Sequence, residues 1–297
     1  MRASHVVQSA LLHGVGGVLA ALPRPLALGT GAAIGDLLAA SGLRRRVVQE
    51  NLLRAFPERD EAWRTRVLHE HYREVGRIAA DYTRLPELVH GPRDHIFRRY
   101  EIEAPVREAL AMGRGLIVLT GHFGHFELFG ATVGRLAPLS FVVKPLSNPG
   151  AESWIRRIRE RSGVGAFPIG SGVRDVIRTL RGNGVIAMIA DQDARRDGVF
   201  VPFFGHPAST PVGPARFALM TGTPVVFGHA LRAPDGRYDI VLGRPIVAEG
   251  RHDDPEAIRR FTAWHTAQLE AAVRERPESW FWMHKRWKTA PPVGETS

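Results

Sequence analysis

The stretch TGHFGHFELFG, residues 120–130, sets His122, His125 and Glu127 directly behind the apolar run GLIVLT. Such residues can hold a metal or move a proton. Two histidines three apart with a nearby carboxylate do not match the His-Glu-x-x-His helix that binds zinc, so the spacing argues against a metal. For proton transfer, five residues of continuous helix would turn His122 and Glu127 about 140° apart. They meet only if His122 lies in the loop ahead of the helix and folds back over it. Glu127 would then accept from one ring nitrogen and fix the tautomer. The other nitrogen would be a base near its ordinary pKa of ~6.5, suited to taking the proton of a hydroxyl. The same two residues could equally cap and solvate a helix start, and His125 reads as wall.

Other chemistries find no support. There is no Gly-x-Ser-x-Gly elbow and no phosphate-binding glycine–lysine loop, and Gly121 and Gly124 are too few for a dinucleotide fingerprint. The absence of cysteine excludes disulfides, thiolate metal sites and a cysteine nucleophile.

The elements that must position these residues read as α/β. Leu116–Thr120 is a buried strand followed by a helix over 124–135, then a strand over 139–145 and a basic helix over 148–163. A helix over 172–184 leads to the apolar strand 185–190, and Asp191-Gln192-Asp193 stands at its end. A short helix (213–222), strands over 223–231 and 237–246, and a long helix (254–277) follow. Alternating strands and helices predict a three-layer αβα domain with a mixed, largely parallel sheet. Sites in such sheets lie beyond the carboxyl ends of the strands, where both GHFGHFE and DQD fall.

The first hundred residues read as mainly helical. Residues 47–56 and 57–85 have apolar side chains at helical spacing, from Trp63 and Leu68 to Tyr72 and Ile78. Ahead of them, Val6–Leu22 and 26–43 are two weakly apolar stretches separated by PRP (23–25) and followed by Arg44–Arg46. The first is marginal for a span, which needs about 20 apolar residues. We read both as helices, the first in or against a membrane surface with the arginines near anionic head groups. This gives a membrane-associating segment (1–46), a catalytic domain (47–290) and a disordered tail (291–297).

With 40 Lys and Arg against 30 Asp and Glu the chain carries +10, which favours an anionic partner. Trp280, Trp282 and Trp287, interleaved with His284, Lys285, Arg286 and Lys288, suit stacking on bases, a membrane interface or core packing. We favour contact with a lipid head group or membrane. A non-catalytic lipid- or nucleic-acid-binding protein using this basic, Trp-rich surface is the alternative.

Ordered blocks narrow the choice. GHFGHFEL (121–128), KPLSNPGAESWIRRIRERSG (144–163), VIAMIADQDARRDGVFVPFFGHPASTPVGPARFA (185–218) and PESWFWMHKRWKT (277–289) follow NLLRAFPE (51–58). Over nearly the whole chain this resembles the bacterial lipid A biosynthesis lauroyl/myristoyl acyltransferase family, and it is similar to the mycobacterial phosphatidylinositol mannoside acyltransferases. The resemblance implies acyl transfer of the EC 2.3.1 type. The donor would be a thioester of acyl carrier protein or coenzyme A, and the acceptor a hydroxyl of a glycolipid or lysolipid. It implies no covalent acyl-enzyme, no metal or other cofactor, no nucleic-acid partner and a monomer at the cytoplasmic face of the inner membrane, peripheral or single-anchored.

Residue by residue, the family's His-x4-Glu/Asp motif falls on His122 and Glu127, its basic-helix arginine on Arg159 and its strand-end aspartate on Asp191. Within the same blocks Lys144, Asn148, Arg161 and Asp193 become candidate substrate contacts, with Arg286 and Trp287 in the tail. Phe123 and Phe126 are candidate acyl-chain lining beside the base, or core. Lipid A enzymes often carry Arg-Pro where this chain has Lys144-Pro145. Either Glu127 or Asp191 would orient His122, and Arg159 would serve the reaction or bind a phosphate.

Overall fold

The computed structural model describes residues 3–170 and 172–292, so most of the expected disordered tail (293–297) lies outside the described residues. Six helices come first: α1 (Ala3–Ala21), α2 (Arg24–Ala40), α3 (Arg45–Ala55), α4 (Glu61–Tyr82), α5 (Leu85–His90) and α6 (Arg93–Ile96). Pro23 separates the first two by capping α2, and Asp60 starts α4 by accepting from the Trp63 N–H at 2.6 Å, three residues later than Pro57 suggests. The α/β part follows: β1 (Phe97–Glu101), α7 (Glu103–Ala111), β2 (Leu116–Thr120), α8 (Phe126–Gly134), β3 (Leu139–Val143), α9 (Pro149–Arg161), β4 (Val164–Pro168), α10 (Val173–Arg181) and β5 (Val185–Ile189). It continues with β6 (Val199–Phe203), β7 (His206–Thr210), α11 (Gly213–Thr221), β8 (Pro224–Arg232), β9 (Tyr238–Leu242), β10 (Ile246–Val247) and α12 (Pro255–Glu275).

The main sheet runs β1-β9-β8-β2-β5-β3-β4, with β10 also on β8. The pairs are parallel except β8 with β9 and with β10. Strand β2 shows why its sequence is apolar throughout. Ile117 and Leu119 enter one core with α3, α4, α10, α11 and α12; Leu116 and Val118 enter the other with α5, α7, α8 and α9. A sheet covered on both faces needs no polar alternation.

Four strands have no counterpart in the sequence reading. β1 and β4 are edge strands; β1 carries Arg98 and Arg99 in its middle, and β4 ends at Pro168, which an edge strand tolerates. β6 and β7 form a separate antiparallel hairpin whose two turn residues, Phe204 and Gly205, both have positive φ (52° and 73°), as a two-residue hairpin turn requires. A phenylalanine there hides the turn signal.

The N-terminal helices are built onto the domain. Gly76 of α4 lies so close to α2 that a Cβ on it would sit 1.9 Å from the Gly31 carbonyl oxygen. Helix α1 packs more lightly and turns Leu11 and Val18 outward, 62% and 61% exposed. Among the described residues no single helix is long and apolar enough to cross a membrane; α2 and α3 together are, but they bend by 92°.

Candidate active site

His122 stands in the loop between β2 and α8, two residues beyond the strand, and Asp191 stands two residues beyond β5, its parallel neighbour. Adjacent strands thus deliver the two side chains to the same edge. Asp191 Oδ1 accepts from His122 Nδ1 at 2.7 Å. Its Oδ2 accepts from the His122 backbone N–H at 2.7 Å and from Trp280 Nε1 at 2.9 Å. The loop can approach this closely because residue 121 is glycine; a Cβ there would lie 2.9 Å from Asp191 Oδ2.

Burial alone would raise the Asp191 carboxyl. The charge and hydrogen bond of His122, with the Trp280 and backbone donors, instead hold it well below the usual carboxylate range. Burial alone would lower His122, but the Asp191 charge and hydrogen bond, helped by Glu127, raise it above its ordinary value. Asp191 therefore stays ionised and fixes the tautomer with the proton on Nδ1, which leaves the Nε2 lone pair free for chemistry.

His122 lines a cavity of about 410 Å³ whose wall is almost wholly apolar. Helix α1 supplies Leu12 and Val15, α4 supplies Val75 and Ile78, and Phe126 and Trp154 complete the wall. Dimensions and lining suit a hydrocarbon chain. Among the polar side chains in the wall, His71, Glu74 and Ser279 are buried; burial pushes His71 down to about 4, so it is neutral near pH 7.

Glu127 does not reach the histidine ring. Starting α8, it faces away from the loop and takes a bidentate ion pair with Arg159 of α9, Nε lying 3.2 and 3.1 Å from its two oxygens. The fold-back that would join His122 to Glu127 is thus replaced by a neighbouring strand's aspartate. His125 is a buried N-cap, its Nδ1 accepting from the Leu128 N–H at 3.2 Å; burial lowers it to about 3.

Several candidate contacts have other partners. Phe123 is fully buried and packs on His229 rather than on the cavity, because the loop bridges to Trp280 and turns it inward. Phe126, by contrast, lies 5.3 Å from the His122 ring on the cavity side. Asn148 caps α9 at the Gly150 N–H (3.0 Å) and ties α1 down through Ser9 (2.9 Å) and the His5 carbonyl (3.1 Å). Asp193 anchors the C-terminal segment by accepting from the Thr289 hydroxyl at 3.0 Å. Arg161 is exposed and pairs with Glu87 at 3.2 Å, while Lys144 is exposed after β3.

The tail is core, not surface. Trp280 and Trp282 are buried and cross at 4.6 Å, and Trp287 stacks on Phe203 at 5.6 Å. Arg286 is buried, its Nη1 donating to the Ser209 carbonyl at 2.6 Å, and burial lowers it to about 10. Only Lys285 and Lys288 of its cations face solvent fully. The role of Trp280 was not legible in the sequence. An indole N–H needs a buried acceptor and Asp191 needs donors, but nothing local pairs residues 89 apart. Among the described residues no group of three or more acidic and histidine side chains converges as a metal site would require.

Comparison with known proteins is consistent along the chain. A family model of bacterial lipid A biosynthesis acyltransferases matches residues 2–289. A lipid A biosynthesis lauroyltransferase of Escherichia coli (strain K12) is 28% identical over 286 residues, covering 94% of this chain and 90% of that protein. A lipid A biosynthesis palmitoleoyltransferase of the same strain is 26% identical, covering 93% and 89%. A phosphatidylinositol mannoside acyltransferase of Mycobacterium tuberculosis (strain CDC 1551 / Oshkosh) is 32% identical over 184 residues, covering 60% and 56%.

Proposed function

Because this chain belongs to the bacterial lipid A biosynthesis acyltransferase family and is thereby an acyltransferase, we propose that it moves a fatty acyl group from a carrier thioester to a hydroxyl of a glycolipid at a membrane surface. The observation that carries this reading is the His122–Asp191 pair, whose histidine lines an apolar cavity of about 410 Å³.

The proposed mechanism is direct transfer. His122 Nε2 removes the acceptor hydroxyl proton while Asp191 stabilises the imidazolium. The oxygen attacks the thioester carbonyl carbon, the tetrahedral intermediate collapses, and the leaving sulfur takes the proton back from His122. No protein nucleophile is needed. The apolar cavity holds the acyl chain, and Phe126 walls it beside the base. The donor is a thioester of acyl carrier protein or coenzyme A; lipid A precursors and mannosylated inositol lipids are the acceptor classes that the relatives' names suggest.

Membrane association is part of the proposal. The outward Leu11 and Val18 of α1, on the helix that roofs the cavity, let an acyl chain or acceptor enter from the bilayer without crossing water. Trp280 and Trp282 are buried and Trp287 stacks on Phe203, which weighs against a tryptophan surface for nucleic acid.

The test is His122→Ala. Transfer should fall about 10³–10⁴-fold with an unchanged thermal midpoint, the full contribution of a positioned base. Activity above about a tenth of wild type would remove His122 as the base. Lipid mass spectrometry of a deletion strain, seeking a species short of one acyl chain, identifies donor length and acceptor together. Recovery of the protein on anionic vesicles tests the docking of residues 1–46.

A further inference from the structure

The reaction places negative charge on the thioester oxygen, and the obvious donors near His122 are already committed. Arg159 is held by Glu127 and Arg286 is buried against Ser209. The backbone N–H groups of His122, Gly124, His125 and Asp193 have acceptors in Asp191, Ser279, Ala230 and His284. Among the described residues, one side-chain donor lies within hydrogen-bond distance of the reacting nitrogen. The Gln192 amide nitrogen lies 3.5 Å from His122 Nε2.

That contact has a definite sense. His122 Nδ1 donates to Asp191, so Nε2 carries the lone pair and the Gln192 NH2 group is the donor. The backbone of Gln192 is pinned on both sides. Asp191 accepts three hydrogen bonds; Asp193 accepts from Thr289 and donates its N–H to His284 Nε2 at 2.8 Å. The side chain itself is exposed and unencumbered, so it can turn from the ring to a bound substrate.

We propose that Gln192 is a further catalytic residue, which occupies the lone pair of His122 in the free enzyme and donates to the thioester oxygen during transfer. The acceptor hydroxyl displaces the amide from Nε2 and gives its proton to that nitrogen as its oxygen bonds to the carbonyl carbon. The carbonyl π electrons move to oxygen, where the displaced Gln192 N–H meets them. When the C=O bond re-forms, the C–S bond breaks and the thiolate takes the proton from His122. A contact as long as 3.5 Å at rest is weak, so the amide gives it up at little cost and turns to the oxygen where charge develops. The inference rests on His122 as the base.

The experiment compares Gln192→Ala, Gln192→Glu and His122→Ala on lauroyl thioesters of coenzyme A and of acyl carrier protein. Thiol release is followed with acceptor lipid and with water alone. Gln192→Ala should lower kcat about 10²–10³-fold in both reactions with KM for the thioester changed less than about threefold. Gln192→Glu should be as slow and should move the acidic limb of kcat/KM to higher pH, because a carboxylate there favours the imidazolium. If Gln192→Ala and Gln192→Glu keep more than about a third of wild-type kcat while His122→Ala is inactive, the inference fails and the base reading stands. Loss of lipid transfer with water hydrolysis intact would also overturn it, since that marks a residue that only places the acceptor. An active His122→Ala would instead overturn the reading beneath both.

Discussion

Asp81 and Asp191 are each buried, each hydrogen-bonded by an aromatic side chain, and each held below the ordinary carboxylate range. Their surroundings differ in what is left over. Asp81 sits on α4 between Arg24 and Arg232, with Nη2 of the first and Nη1 of the second both 2.8 Å away and the Tyr238 hydroxyl at the same distance. Burial would raise its pKa, and the two arginines bring it down to about 2. Arg232 also binds Glu74 at 3.0 Å, so the cluster ties α2, α4, β8 and β9 together. Asp191 has one titratable partner, and that partner keeps a second nitrogen facing a cavity. A buried charge at a closed cluster holds elements in place. The same charge behind a half-used histidine can drive a reaction. A depressed carboxyl alone therefore does not mark a site; an open valence beside it does.

The sharpest way to break this contrast is Arg232→Ala. It leaves Asp81 and Glu74 facing each other without their shared cation, and should cost about 3–5 kcal/mol of stability, read as a large fall in thermal midpoint. The fraction that stays folded should keep the wild-type dependence of kcat/KM on pH. An altered pH limb in the folded protein would mean that the closed cluster also tunes the reaction.

Asp191→Asn probes the other side without that loss of stability. The amide keeps the shape but removes the charge that helps raise His122. If His122 is the base, it works when deprotonated, and activity falls as pH drops through its pKa. Because Oδ2 must stay an acceptor for two N–H donors, the Asn NH2 would face Nδ1 and move the ring proton to Nε2. The plateau should drop up to about 10⁴-fold, and the activity that remains should show its acidic limb at lower pH. A limb that stays in place would assign the wild-type profile to another group.

How much of this was legible in the sequence follows from how far apart the partners are. The apolar runs of β2 and β5, each followed within two residues by a polar side chain, expose both the parallel sheet and the edge where His122 and Asp191 stand, because a doubly covered strand has no reason to alternate. His122 and Asp191 could be placed at that edge without knowing that they touch. The choice between Asp191 and Glu127 was not readable. It depends on strand adjacency, β2 beside β5, and on which way the first turn of α8 faces. Phe123 and Phe126 looked alike for the same reason; three residues of irregular loop and a bridge to Trp280 send one inward and the other to the cavity. The tail misled through composition. A run of Trp, His, Lys and Arg reads as surface, yet Arg286 fits inside because the Ser209 carbonyl, the Thr210 hydroxyl and the Phe203 face receive its guanidinium.

The Glu127–Arg159 pair tests the comparison from between its two terms. Its side chains are nearly buried, like the Asp81 cluster, and the Glu127 charge acts on His122, as that of Asp191 does. If it belongs to the closed kind, it acts as a unit that fixes the α8 N-terminus against α9, which is where Phe126 and Trp154 meet the cavity. Glu127→Ala, Arg159→Ala and the double variant should then lose similar amounts of activity and stability. The coupling energy should be about 1–3 kcal/mol, because either single change already leaves a buried charge without its partner. Additive losses in kcat would show the opposite: that Arg159, freed from Glu127 when substrate binds, contacts the acyl donor or a phosphate of the acceptor in its own right. The pH limb gives an independent reading. Removing Glu127 takes away a minor support of the His122 pKa and should shift the limb in the same direction as Asp191→Asn, but by less.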